Sequence, residues 1–422
     1  MLQANRSILP EPRPVTLFAP RAIAAATLLL GLFIATSAFA GDPDPKSWKS
    51  VLAEAEGQTV AFNAWGGEPR INAYIAWAAT EVEKRFGVKV AHVKLADTAE
   101  AVQRVLADKT AGTATGGAVD LVWINGDNFA AMKKNGLLFG PWADSTPNYA
   151  LTSPETHKDI TADFTVPVEG LESPWGRAQV VFYHDLEVVT VPPRSMTSLA
   201  AWARANPGRF AYPKPPDFLG LTFLKQTLIE LLPDPAPLYA PVEKADFASV
   251  TKPLWDYLDA LHPTLWRGGK AFPANSTELR RLFADKETRI AFTFNPGDAS
   301  AAIANNELPP TVESYVLSGG TIGNVHFLAI PFNAANKAGA MVLANFLLSP
   351  EAQAKKLDPA VWGDQTVLDV GALGDKDKAA FDAVDVGPAT LRPQALGTAL
   401  AEPDPSWVKA LEAEWLKRYG AS

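Results

Sequence analysis

The chain opens its regular patterning at Thr59-Val60-Ala61-Phe62-Asn63-Ala64-Trp65, a β-rich run broken by Gly66-Gly67, which predicts a strand ending in a tight turn. Pro69 suits the first turn of a helix, and Ile71, Tyr74, Ile75, Ala78 and Val82 then recur at helical spacing up to Phe86. Gly87 closes that helix. A strand is expected over 88–95, a helix over 98–110, a buried-type strand over 119–124 and a helix opening at Asn128. Strand and helix alternating in this way predict an α/β fold with a mostly parallel sheet, in which ligands sit beyond the carboxyl ends of the strands.

The pattern then repeats. Gln179 to Tyr183 reads as a strand that crosses between lobes, followed by a helix over 198–205, a strand over 209–212 and a helix after Gly220. Residues 232–253, rich in Pro and Ala, read as a surface loop. Beyond them lie a helix over 277–286, a strand over 288–294, a strand over 323–330, and helices over 335–348 and 406–419.

The first forty residues change the picture. Arg6, Arg13 and Arg21 precede the uncharged apolar run 22–34, and Ala38-Phe39-Ala40 offers a cleavage site before Gly41. Residues 1–40 therefore read as a secretory signal peptide, too short in its apolar part to span a bilayer. Removing their three Arg and one Glu leaves 35 basic and 45 acidic residues and moves the net charge from −8 to −10. Such a surface does not suit nucleic acid. With no Cys, the chain has no disulfide, no thiolate metal site and no lipid attachment point. His92, His157, His184, His262 and His326 stand alone, and no hydrolase elbow, zinc motif or nucleotide-binding glycine signature occurs. No cofactor and no metal are expected.

What remains is a set of polar and aromatic side chains at strand ends: Trp65 and Glu68, then Trp123, Asn125 and Asp127, then Trp175 and Arg177, then Asn295 and Asp298. Indole faces stack on planar or cationic groups, and a nearby carboxylate supplies counter-charge. Taken singly, each Trp reads first as core, and Asp127 and Asp298 serve equally as caps of the helices they precede. The chain has twelve Trp, several beside Gly or Pro, including Trp362-Gly363.

Phe327-Leu328-Ala329-Ile330-Pro331, Asn336-Lys337-Ala338-Gly339-Ala340 and Asn345 to Gln353 (NFLLSPEAQ) resemble the C-terminal third of type II periplasmic solute-binding proteins. Phe62 to Gly67, Asp120 to Gly126, Ser173 to Gln179 and Phe294 to Asp298 resemble the YnjB-like, thiamine-transport-like subfamily, over nearly the whole chain past residue 40. The resemblance implies a monomeric, non-enzymatic, periplasmic binding component of an ABC importer, with two α/β lobes around a ligand cleft. Lobe one would hold residues 58–177 with 322–355, and lobe two residues 178–321 with the C-terminal helices of 356–422. It implies a small organic, thiamine-like cation as cargo and a membrane permease as partner. Glu68, Asp127 or Asp298 would then balance the cation, whereas an anionic cargo would make Arg177 the lead residue. Ferric-ion binders use adjacent Tyr, and no two of the eight Tyr here are adjacent. An exported hydrolase with a carboxylate pair, a polyamine or oxyanion binder, and a sensor partner are the competing readings.

Overall fold

In the computed structural model, residues 42–397 and 399–420 are described; the expected signal peptide lies outside them. The chain begins with α1 (Trp48–Ala55), β1 (Thr59–Trp65), α2 (Pro69–Phe86), β2 (Lys89–Leu95), α3 (Ala99–Thr110), β3 (Leu121–Ile124) and α4 (Gly126–Lys134). The punctuation residues act as expected: Pro69 is the first residue of α2, and Gly87 ends it in the left-handed region at φ 67°. A two-strand hairpin, β4 (Ala162–Asp163) and β5 (Val166–Pro167), precedes β6 (Glu172–Gln179).

The first sheet runs β2-β1-β3-β10-β6, with β10 (Gly323–Ala329) returning late in the chain. β1 is parallel to β2 and β3, whereas β10 is antiparallel to both β3 and β6. Side-chain alternation divides this sheet into two cores. Val60, Phe62, Leu121 and Leu328 face α1, α2 and α10 (Lys337–Leu347). Val122, Ile124, Phe327 and Ala329 face α3 and α4.

One residue, Val180, separates β6 from β7 (Val181–Asp185), so the chain passes there from the first sheet to the second. The second sheet is β8-β7-β9, with β8 (Ile290–Thr293) and β9 (Val312–Tyr315) both antiparallel to the central β7. The two-lobe α/β fold is as expected; the mostly parallel character is confined to β2-β1-β3. Residues 209–212 form no strand: only isolated bonds reach them, from Arg289 N–H to Arg209 O and from Trp266 N–H to Phe210 O, each at 2.8 Å.

The second core gathers α5 (Met196–Ala205), α6 (Phe218–Leu231), α7 (Phe247–Leu261), α8 (Ser276–Ala284) and α9 (Asp298–Ala304) around that sheet. α7 begins inside the stretch expected to be loop. Its Pro253 lies in the second turn, and Leu254, Trp255, Leu258 and Leu261 bury one face. Residues 356–422 divide between lobes, although the sequence places them wholly with the second. After α11 (Pro350–Leu357), Val367, Leu368, Leu373 and Phe381 of α12 (Asp375–Asp382) join the first lobe's core. After α13 (Pro393–Leu396), Trp407, Val408, Leu411 and Trp415 of α14 (Ser406–Tyr419) join the second. Among the described residues, no helix is long and apolar enough to cross a membrane.

Several buried polar groups lack a hydrogen-bond partner, and one carboxyl lacks any. Glu172, at the start of β6, is fully buried and neither carboxylate oxygen has a hydrogen-bond partner. Burial, and then the charge of Asp163, push its carboxyl well above the ordinary range, so folding favours the neutral acid over the carboxylate. The unfolded chain ionises this group above about pH 4.3, so its contribution to stability falls as pH rises from there toward the folded value. Glu172→Met removes that penalty. It should stabilise the fold by about 1–3 kcal/mol at neutral pH, with the gain shrinking toward about pH 4, as read by urea unfolding at both values.

Candidate functional site

The carboxyl end of β1 delivers Trp65, Gly66, Gly67 and then Glu68, whose side chain caps α2 through the Arg70 N–H. Across from it, β8 ends in Phe294-Asn295-Pro296-Gly297 and feeds α9, which starts at Asp298. A cleft between these turns is lined by Trp65, Glu68, Arg70, Ile71, Ser276, Arg280, Thr293, Asn295, Asp298 and Trp362. First-lobe and second-lobe residues therefore share one site.

Four of them form a closed ionic circuit. Arg280 on α8 donates through Nη2 to Glu68 Oε2 at 2.7 Å and through Nη1 to Asp298 Oδ1 at 2.6 Å. Arg70 donates through Nη2 to Asp298 Oδ1 at 2.9 Å and through Nε to Glu68 Oε1 at 3.3 Å. All four side chains are only 8–11% exposed. Burial alone would push the Glu68 carboxyl up, but Arg280 and then Arg70 outweigh it and hold it below the ordinary carboxylate range. For Arg280, burial works against the charge, and Asp298 and Glu68 overcome it, keeping the guanidinium more firmly protonated than usual.

Two further contacts tie the lobes at this place. Thr277 Oγ1 donates to Gly67 O at 3.3 Å, and Asn295 Nδ2 donates to Trp362 O at 3.1 Å. Gly363 and Gly297 meet backbone to backbone: a Cβ on Gly297 would lie 2.3 Å from Gly363 O, and Gly363 itself sits at φ 84°. Only glycine permits that approach. Next to it, Asp364 is buried against Lys356 Nζ at 2.7 Å and His326 Nε2 at 3.0 Å. Burial pushes the Asp364 carboxyl up, and His326 and Lys356 more than reverse this.

The closed cleft holds about 60 Å³, against the roughly 300–1,000 Å³ usual for small-molecule pockets, so a ligand enters only as the lobes part. A larger recess of about 590 Å³ lies along Asp144, Tyr149, Ser153, Glu155 and Asp369. It is open to solvent and receives no side chain from the second lobe, so the smaller cleft is the better candidate. Among the described residues, no group of His and carboxylates is placed to hold a metal.

Of the residues expected at the site, the structure brings Trp65, Glu68, Asn295 and Asp298 together. Trp123 is half-buried one ring behind the cleft, 5.6 Å from Trp362. Trp175 is fully buried, edge-on to Trp123 at 4.8 Å, and does not line the cleft. Asn125 is the N-cap residue of α4, and Asp127, in its first turn, faces Lys409 of α14 at 3.5 Å. Asp298 likewise occupies a first turn, where a carboxylate favours the helix dipole without capping it. Arg177 is paired with Asp159 at 2.7 Å and bonded to Thr366 O, outside the cleft, so an anionic cargo would not meet it. Arg70, Arg280 and Trp362 are the residues the sequence reading missed. Trp362-Gly363 carried the same signal as the other Gly-flanked indoles, while nothing local marks the two arginines.

Solved structures with a similar overall fold include periplasmic binding proteins. AfuA from Actinobacillus pleuropneumoniae superposes with a TM-score of 0.60 at 14% identity, covering 86% of this chain and 99% of that one. The TpPotD lipoprotein of Treponema pallidum gives the same score, identity and coverage. At the sequence level the family of bacterial extracellular solute-binding proteins matches residues 76–375. Protein YnjB of Escherichia coli is 46% identical over 392 residues, which span 93% of this chain and 98% of that protein. The chain belongs to that solute-binding family, whose role is binding rather than catalysis.

Two substitutions separate packing from closure. Trp175→Ala empties a fully buried site and should cost about 3–5 kcal/mol in urea unfolding. Arg280→Gln leaves Glu68 and Asp298 under-compensated and should disfavour the closed form by about 3–5 kcal/mol, seen as a larger radius of gyration by small-angle scattering.

Proposed function

We propose that the protein is the periplasmic, monomeric solute-capturing component of an ABC importer, which closes two lobes over one small organic molecule and presents it to a membrane permease. The observation that carries this is the cleft itself: Glu68 and Arg70 from one lobe meet Arg280 and Asp298 from the other, so closure and the binding surface are the same event. Trp65 and Trp362 supply indole surface at the cleft wall, which suits a ligand with a planar portion. The thiamine-like cation implied by sequence resemblance needs an uncommitted carboxylate. Glu68 and Asp298 are each held by two arginines, so the geometry does not favour that charge.

The hydrolase alternative requires one carboxylic acid with a raised pKa to protonate a leaving group. Glu68 is held low instead. Capture is the reading that uses every residue of the cleft.

Denaturing protein purified from the periplasm and analysing what it releases should give a small organic solute. Refolded protein should bind nicotinate, phenyl phosphate or thiamine one-to-one, with a smaller radius of gyration and a change in indole fluorescence. Trp65→Ala should weaken that binding by about 2 kcal/mol or more and leave unfolding stability nearly unchanged. Protein that releases nothing, and whose radius none of these three compounds changes, does not act as a closing binder.

A further inference from the structure

Resting on the capture reading, we infer that the ligand carries an oxyanion, a carboxylate or a phosphate, and that Arg70 is the residue that holds it. The argument is one of unequal saturation. A guanidinium has five N–H donors and no acceptor. Arg280 has a partner at each nitrogen: Nη2 on Glu68, Nη1 on Asp298, and Nε on Glu307 at 3.2 Å. Arg70 is bonded only through Nε and Nη2; its Nη1 is buried from solvent and has no partner. A buried, charged donor left unmet is costly, and here it belongs to a side chain that lines the cleft.

Each acid already faces two guanidiniums, so the open Oδ2 of Asp298 offers a cation little unbalanced charge. Glu68 accepts from Arg70 at Oε1 and from Arg280 at Oε2, and Asp298 Oδ1 accepts from both arginines. A ligand cation entering this circuit has to compete with two guanidiniums at once. An oxyanion meets an N–H pair that nothing else occupies, and the planar fork of Arg70 suits either a carboxylate or a phosphate. Arg70 also lies in the first turn of the 18-residue α2, whose dipole adds positive potential there. The body of the ligand then lies toward Trp65 and Trp362.

The test is calorimetric titration of protein refolded from denaturant, so that no solute is carried over. The probes are nicotinate and phenyl phosphate as planar oxyanions, nicotinamide as the neutral match to nicotinate, and thiamine as a planar cation. Wild type should prefer nicotinate or phenyl phosphate to nicotinamide and thiamine, and the response to each oxyanion tells carboxylate from phosphate. Arg70→Gln should reduce oxyanion affinity by about tenfold or more and collapse the preference for nicotinate over nicotinamide. A merely structural effect would weaken both equally. Arg70→Lys, which keeps the charge, should restore part of the preference and guards against loss of fold, checked by circular dichroism. Arg177→Gln, outside the cleft, should change nothing.

Binding of thiamine in preference to both oxyanions, or oxyanion binding unchanged by Arg70→Gln, overturns this inference and leaves the capture reading standing. No response to any probe also overturns this inference, and the capture reading then stands or falls with the solute released on denaturation.

Discussion

Where the two lobes meet, two guanidiniums and two carboxylates are taken out of water together, and that desolvation is tolerable only because each group faces opposite charge. Removing a charged group from water costs several kcal/mol even after relaxation, and an ion pair recovers this only with good geometry. The need for geometry explains the surroundings. Glu68 is fixed by the glycine turn after β1 and by its cap on α2, and Asp298 by the turn after β8 and the first turn of α9. Arg280 reaches both because Leu279, Leu282 and Phe283 seat α8 against the second core. When the lobes part, all four groups regain water, so the circuit holds the closed form without locking it. A pairing that nearly breaks even against hydration is what a reversible cleft requires.

The first lobe was legible because its signals are local. Glycine pairs end strands, Pro69 opens α2 and Gly87 closes it, and a period of about 3.6 shows in Ile71, Tyr74, Ile75, Ala78 and Val82. The second lobe was less so. Strand direction is settled by partners far away in sequence, and β7 owes its antiparallel neighbours to the crossing at Val180. Pro253 hid α7: at the seventh helical position it forgoes a bond to the Ser249 carbonyl, and the apolar face beyond it outweighs that loss. Residues 209–212 have strand-like composition but lack a ladder of neighbours, so composition alone misleads there.

The site was half legible, and the reasons are specific. Trp175 was expected at the cleft because Pro174 and Gly176 flank it. In the β6–β10 pairing, Gly176 faces His326 and Pro174 faces Phe327, so Trp175 is an extra residue with no partner. Such a bulge re-aims a side chain, and here the indole turns into the core beside Phe62 and Trp123. No sequence pattern announces a bulge. Arg70 and Arg280 were hidden for a different reason. A charged residue on an amphipathic helix is ordinarily its solvated face, and only the opposing lobe makes these two buried.

The segment 362–364 links the two lobes beside the cleft. Asp364 is anchored in the first lobe by Lys356 and His326, while two residues earlier the Trp362 carbonyl accepts from Asn295 of the second. Between them, Gly363 lies against Gly297, where a Cβ on Gly297 would strike the Gly363 carbonyl and the positive φ of Gly363 favours glycine. The wall that presents Trp362 to the cleft is therefore held from both lobes, and it takes its shape only when they close. A solute that fits must find indole surface and charged groups already aligned, and to enter it must exchange some of the circuit's own bonds for its own. Selectivity then rests on which of those bonds is easiest to replace, and the unpartnered Nη1 of Arg70 is a charged donor from which nothing has to be displaced.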